Sequence, residues 1–172
     1  MMPSLNILPI NLAVDRDIAI KFRADSFMCS FGHERDFWGE DGKGDERYWQ
    51  WLKDKIASGE WGAFHVWLDK QIIGQIELGL KAQSKDIGYV NLYYLAPEVR
   101  GKGYSASLDE FAMSFFREKG YMLAQLSVSP SNLRAISYYI KRGWQNMGPR
   151  FTEEELARRG GSQVNLMQKS VG

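Results

Sequence analysis

Apolar and polar positions alternate along this chain in segments whose periods change abruptly. Leu5 to Ile10 predicts a short opening strand. From Asp15, the residues Ile20, Ala24, Phe27, Met28 and Phe31 recur at one helical stripe, and Gly32 stops it. The stretch "FGHERDFWGEDGKGDE" is polar, glycine-rich and aromatic, and reads as a loop. A second helix is expected after an Asp45 cap, with Trp49, Leu52 and Ile56 on one face and Gly59 at its end. "AFHVWLDKQIIGQIEL" predicts two antiparallel strands around a turn at Asp69 and Lys70. "DIGYVNLYYLAP" predicts a third long strand ended by Pro97.

After two closely spaced glycines, Leu108, Phe111, Ala112, Phe115 and Phe116 mark an amphipathic helix closed by Gly120. "YMLAQLSV" is a strand, "SNLRAISYYIKRG" a short helix ending near Gly143, and "SQVNLMQKSV" a final strand. Thr152 and Glu155 have the spacing of a capping box. The strand–helix–strand unit from Tyr89 to Val128 is expected to be a right-handed parallel crossover. The fold class expected is therefore α/β in the α+β sense: a mixed, mostly antiparallel sheet with one parallel crossover, flanked by helices. With no linker or repeat, residues 1–172 read as a single domain.

Composition narrows the function. Lys and Arg number 22 against 21 Asp and Glu, so charge gives no reason to expect nucleic acid or an anionic membrane as partner. No apolar run approaches the roughly 20 residues of a membrane span. The start "MMPSLNILPINL" lacks the pattern of a signal peptide, and the one cysteine, Cys29, excludes an intrachain disulfide. A cytoplasmic protein is the expectation.

The turn "LAPEVRGKGYSASLDEF" passes from a strand directly into a helix. A helix start carries amide N–H groups without intrahelical partners and a partial positive charge, so it stabilises an anion. Gly101 and Gly103 let backbone approach a ligand, Arg100 and Lys102 can add charge at the rim, and Ser105 is small enough not to block it. A plain strand-to-helix turn would account for the glycines equally. The turn is neither a Walker loop nor a dinucleotide fingerprint: the required glycines are absent and Gly103, not Ser or Thr, follows the lysine. A second motif, "SPSNLRAISYYIKRGW", places Asn132, Ala135 and Tyr139 three and four residues apart on one helix face. Packing, with Asn132 as an N-cap, would also explain that stripe.

Together the two motifs resemble the GNAT superfamily of acyl-CoA-dependent N-acetyltransferases. In that family a strand ends in a Pro-Glu-like corner before R/Q-x-x-G-x-G/A, and N-x-x-A-x-x-x-Y-x-x-x-G-F follows later. Here Arg100, Gly103 and Ser105 match the first pattern, and Asn132, Ala135, Tyr139, Gly143 and Trp144 the second. Ser105 departs from the usual Gly or Ala, and Trp144 from Phe. The resemblance covers Tyr89 to Trp144. It implies acetyl-CoA as cosubstrate, without a metal, and transfer of the acetyl group to a primary amine. It implies that the amides from Gly101 through Lys102, Gly103 and Tyr104 to Ser105 hold the pyrophosphate. The pantetheine arm would pair with backbone near Tyr93, Tyr94 and Leu95 and touch Asn132. Tyr139 would be the general acid toward the departing thiolate, and a backbone N–H near Leu95 the oxyanion donor.

The base stays open. Some family members place Glu five residues before the motif Asn, where Ser127 stands here; Ser127 could order a water. Glu77 could point into the acceptor cleft, although a salt bridge or a solvated strand face is the simpler reading. A third route selects an already neutral amine with no base. "SPSNLRAISYYIKRGW" is also similar to the corresponding stretch of aminoglycoside 6′-N-acetyltransferases, but that motif serves the cofactor. The acceptor remains a small-molecule or peptide amine, polyamines included, and the chain acts alone or as a homodimer. Glu34, Asp36, Glu40 and Asp41, with Phe37 and Trp38, suit a cationic acceptor, or form a solvated loop. His33, His65 and Cys29 lack zinc-ligand spacing; Cys29 is expected in the core and His65 in strand packing. The rival classes are a non-catalytic acyl-CoA-binding module and an ATP-binding domain.

Overall fold

The computed structural model describes residues 4–81 and 84–172. The elements run β1 (Leu5–Pro9), α1 (Arg16–Phe31), α2 (Arg35–Trp38), α3 (Gly44–Ala57), β2 (Gly62–Leu68), β3 (Gln71–Leu80) and β4 (Ile87–Leu95). A 3₁₀ turn (Pro97–Val99) follows, then α4 (Ser105–Lys119), β5 (Leu123–Val128), α5 (Leu133–Lys141), β6 (Gln145–Pro149), α6 (Glu153–Arg159) and β7 (Asn165–Ser170). Seven strands form one sheet in the order β1-β2-β3-β4-β5-β7-β6, with β4 and β5 parallel. This is the mixed sheet and crossover that the sequence predicts. The chain divides into two compact units, Met1–Gly79 with Asn91–Ala112, and Leu80–Val90 with Met113–Gly172.

In the first unit β1, β2 and β3 form an antiparallel meander, and Asp69 at φ 54° makes the hairpin turn. Ile10, Ala19, Ile20, Ala24, Phe37, Tyr48, Trp49, Leu52 and Ala63 pack as one apolar cluster. Gly32 ends α1 in the left-handed region at φ 77°, its N–H returned to the Met28 carbonyl. Two expectations for α1 fail. Met28 is 44% exposed and Cys29 is also exposed. Cys29 is nine residues past the buried Ile20, two and a half turns at about 3.6 residues per turn, and so lies on the opposite side of the helix.

The expected loop after α1 contains α2, whose Phe37 is buried. Asp45 is not the cap of α3; Lys43 occupies that place, and Asp45 sits in the first turn, 3.7 Å from Arg16. The start of α3 is fixed by packing instead. A Cβ on Gly44 would lie 1.7 Å from the Phe37 carbonyl oxygen, so only glycine lets the two helices meet there.

In the second unit Ile87–Val90 runs parallel to Leu123–Leu126, and β7 pairs antiparallel with both β5 and β6. Gly88 admits Phe116, whose ring carbon would stand 2.5 Å from an added Cβ. Thr152 and Glu155 form the expected capping box. Strand β6 was not expected: its ladder with β7 is broken between Asn146 and Pro149, and Gly148 at φ 85° interrupts the alternation that would announce a strand.

Candidate active site

In the first unit β4 delivers Tyr93, Tyr94 and Leu95 to the glycine turn. The Tyr93 hydroxyl donates to Asp109 at 3.2 Å. Tyr94 is buried, and its hydroxyl donates to Asp25 Oδ2 at 2.5 Å; burial, then that bond, raise the phenol pKa far above its ordinary value. The Ala96 N–H is spent on the Ile73 carbonyl.

Beyond the 3₁₀ turn, Gly101 (φ 75°) and Gly103 (φ 88°) take conformations that disfavour other residues. Tyr104 is buried and anchors the turn, and its carbonyl accepts from Ser107 as α4 begins. Among the described residues, the N–H groups of Gly101, Lys102, Gly103, Tyr104 and Ser105 find no acceptor. An added Cβ at Gly101 would meet nothing within 4 Å, so space lies open beside these donors. Unpartnered amides, an open approach and a helix start fit a pyrophosphate.

Arg100 is held more firmly than a rim charge. Its Nε donates to the Leu95 carbonyl at 2.8 Å and its Nη2 to Asp25 at 3.1 Å, with the guanidinium over the Tyr94 ring at 5.3 Å. Arg100 thus ties the end of β4 to α1, through an Asp25 that no sequence motif marks. Cys29 lies beside this pair; partial burial raises its thiol pKa, against the lowering influence of Arg100.

Glu77 is neither in a salt bridge nor on a solvated face. It is fully buried, and three donors replace a cation. Tyr48 Oη donates to its Oε2 at 2.5 Å, Gln75 Nε2 to the same oxygen at 3.1 Å, and Asn91 Nδ2 to Oε1 at 2.8 Å. Burial first, then the Glu77 charge, drive the Tyr48 phenol pKa far upward. Gln75 Oε1 accepts from the buried His65, whose other ring nitrogen lies 3.6 Å from Asp15, and burial lowers the His65 pKa. His65 is therefore a packed strand residue, as expected. Glu77→Leu would strip the acceptor from two buried donors, Tyr48 and Gln75, and from the half-buried Asn91. We expect a loss of about 3 kcal/mol or more, a Tm decrease of roughly 6–12 °C in thermal melts. An unchanged Tm would refute the network. Of the acidic loop residues, Asp41 is paired with Arg47 at 2.7 Å and Glu34 accepts from the Trp38 indole at 3.0 Å.

In the second unit Asn132 caps α5, its Oδ1 accepting from the Ala135 N–H at 3.2 Å. Tyr139 is half-buried, with its ring centroid 6.0 Å from that of the buried Trp144 in an edge-on contact. The Trp144 N–H bonds the Tyr139 carbonyl at 2.9 Å, so the tryptophan braces the tyrosine from backbone and ring. Ser127 Oγ accepts from Tyr89 Oη at 2.8 Å and from Arg150 Nη1 at 2.7 Å. Arg150 and Lys81 had no motif to mark them. Among the described residues, no group of three His, Cys, Asp or Glu is placed to hold a metal ion, and no helix is long and apolar enough to cross a membrane.

A family model described as the acetyltransferase (GNAT) family matches residues 26–144. A comparison with curated proteins finds no match. Among solved structures, the chain is similar to the PaiA N-acetyltransferase of Thermoplasma acidophilum in complex with coenzyme A. Identity there is 20%, over 97% of this chain and 99% of that one, with a TM-score of 0.72. It is similar to a ribosomal-protein-alanine N-acetyltransferase from Brucella melitensis, 17% identical over 96% of this chain and 99% of that one, TM-score 0.73. It is also similar to a GNAT family acetyltransferase from Elizabethkingia anophelis with acetyl-CoA bound, 11% identical over 98% and 99%, TM-score 0.69.

Proposed function

The chain belongs to the acetyltransferase (GNAT) family, and on that premise we propose that it transfers the acetyl group of acetyl-CoA to the nitrogen of an amine. The observation that carries this reading is the row of unpartnered amides from Gly101 to Ser105 at the start of α4. These donors bind the pyrophosphate through the main chain; Arg100 is engaged by Asp25 and the Leu95 carbonyl, which leaves Lys102 as the rim charge. Tyr93, Tyr94 and Leu95 hold the arm through backbone, with Asn132 as a polar contact. The reading takes residues 1–172 as one cytoplasmic domain, acting alone or as a homodimer.

Bound acetyl-CoA supplies an acetyl thioester as electrophile. A backbone N–H near Leu95 donates to the carbonyl oxygen as negative charge develops there. The Tyr139 phenol donates a proton to the departing sulfur, whose thiol pKa is about 8.5, and the phenolate recovers one from the acylated nitrogen, which sheds it as the amide forms. Glu77 is fully buried with its oxygens engaged by Tyr48, Gln75 and Asn91, so this reading does not take it as the base. Ser127 takes up no charge. On this reading the amine enters neutral. At the pKa of about 10.4 of a lysine-like amine, that form is roughly one molecule per thousand at pH 7, equivalent to 4–5 kcal/mol.

Incubation with acetyl-CoA and a panel of amines is expected to release free thiol in step with acetylated amine. The kcat/KM should climb tenfold per pH unit up to the pKa of the amine. Binding of coenzyme A with no thiol release on any amine would leave a cofactor-binding module in place of an enzyme.

A further inference from the structure

One face of the second unit's sheet is polar on adjacent strands. Gln125 and Ser127 alternate onto it from β5, Gln168 stands opposite Gln125 on β7, and Tyr89 reaches Ser127 from β4. Neighbours fix the direction of nearly every polar atom there. Gln125 accepts from the Lys81 ammonium through Oε1 and donates through Nε2 to Gln168 Oε1 at 2.8 Å. Arg150 Nη1 donates to both Tyr89 Oη and Ser127 Oγ at 2.7 Å each, and its guanidinium lies 5.2 Å from the Tyr89 ring and 4.9 Å from that of Phe151.

What these bonds leave over is entirely donor. Ser127 Oγ already accepts two bonds, so its own proton is directed elsewhere. Among the described residues, Nε and Nη2 of Arg150 make no hydrogen bond, and neither Arg150 nor Lys81 has a carboxylate within ion-pair distance. Both cations are half-buried. Burial first, and the Arg150 charge second, lower the Lys81 pKa, a penalty that a bound anion would offset. Two half-buried cations that repel one another, with a serine hydroxyl beside Arg150, offer donors suited to an anion.

We infer that Arg150, Lys81 and Ser127 form the anchor for a carboxylate on the amine acceptor, which makes the substrate class an amino acid or another amine bearing a carboxylate. This rests on the acetyl-transfer reading above. The planar guanidinium, fixed on two rings, matches a carboxylate's two oxygens in a way an ammonium alone does not. Ser127 is the penultimate residue of β5, five residues before Asn132, on the stretch that leads into α5 and Tyr139. A polycationic acceptor is opposed by the same two charges.

The test compares each of the twenty amino acids with its carboxamide, and aminoalkyl phosphonates of matched length, in the thiol-release assay. The wild type is expected to prefer its best acid over the matching amide by about 10- to 100-fold in kcat/KM. Arg150→Met and Lys81→Met should each collapse that ratio, and Arg150→Lys should retain part of it. Amides or simple amines turned over as well as acids, or a ratio that survives Arg150→Met, overturn the carboxylate anchor. A preference for phosphonates assigns the anion to a phosphoryl group and overturns it too. If no amine of any kind is acetylated while coenzyme A binds, the acetyl-transfer reading fails. Calorimetric titration with N-acetyl amino acids against their amides then decides the anchor: tighter binding of the acids supports it, and equal affinity overturns it.

Discussion

Gly103→Val is expected to abolish coenzyme A binding, lowering affinity in calorimetric titration by at least about 100-fold. Gly103 has φ 88°, a region where a β-branched residue is an outlier. Valine there must either strain the backbone or turn the peptide plane, and either change moves the amides on both sides of it. It also sets two methyl groups at the approach to those amides, where each lost charge-assisted bond is worth about 1.5–3 kcal/mol. Three such bonds exceed the predicted loss. Gly103→Ala adds one carbon and keeps the backbone problem, so it should fall between wild type and valine. Far-ultraviolet circular dichroism separates loss of the site from loss of the fold. Tight binding by a folded Gly103→Val protein would show that the cradle is misplaced.

The second large effect is kinetic. Tyr139→Phe removes one oxygen and keeps the ring against Trp144 and Tyr138, whose centroids lie 6.0 and 5.6 Å away. Packing should therefore persist. General acid catalysis contributes about 10²–10⁴-fold, so kcat should fall by about that much. Acetyl-CoA affinity should change little, because Tyr139 acts on the departing sulfur and not on the pyrophosphate. A proportional loss in affinity would make Tyr139 a binding residue, and an unchanged kcat would remove it from the acid role.

The parts of this architecture that follow local rules were legible from the residues. The hairpin at Asp69, the Thr152–Glu155 box and the stripe of α4 each follow from turn, cap or period, and the structure contains all three. What was hidden depends on neighbours distant in sequence. Glu77 is buried because Tyr48, Gln75 and Asn91 supply donors, and the first of these is 29 residues away. Arg100 turns toward Asp25, 75 residues earlier, which no phosphate motif foretells. Cys29 departs from the core because it lies half a helical turn from the face that carries Ile20, and its neighbour Met28 is exposed with it. The glycine turn and the Asn132–Tyr139 motif were visible in sequence. Arg150 and Lys81 were not, since lone cations acquire meaning only when folding brings them to one sheet face.

Acetyl-CoA binding depends on main-chain donors where α4 begins. A crystal structure with coenzyme A tests it most directly. The prediction is pyrophosphate oxygens within hydrogen-bonding distance of the amides between Gly101 and Ser105. A nucleotide held at any other place, with those amides left to solvent, would contradict it.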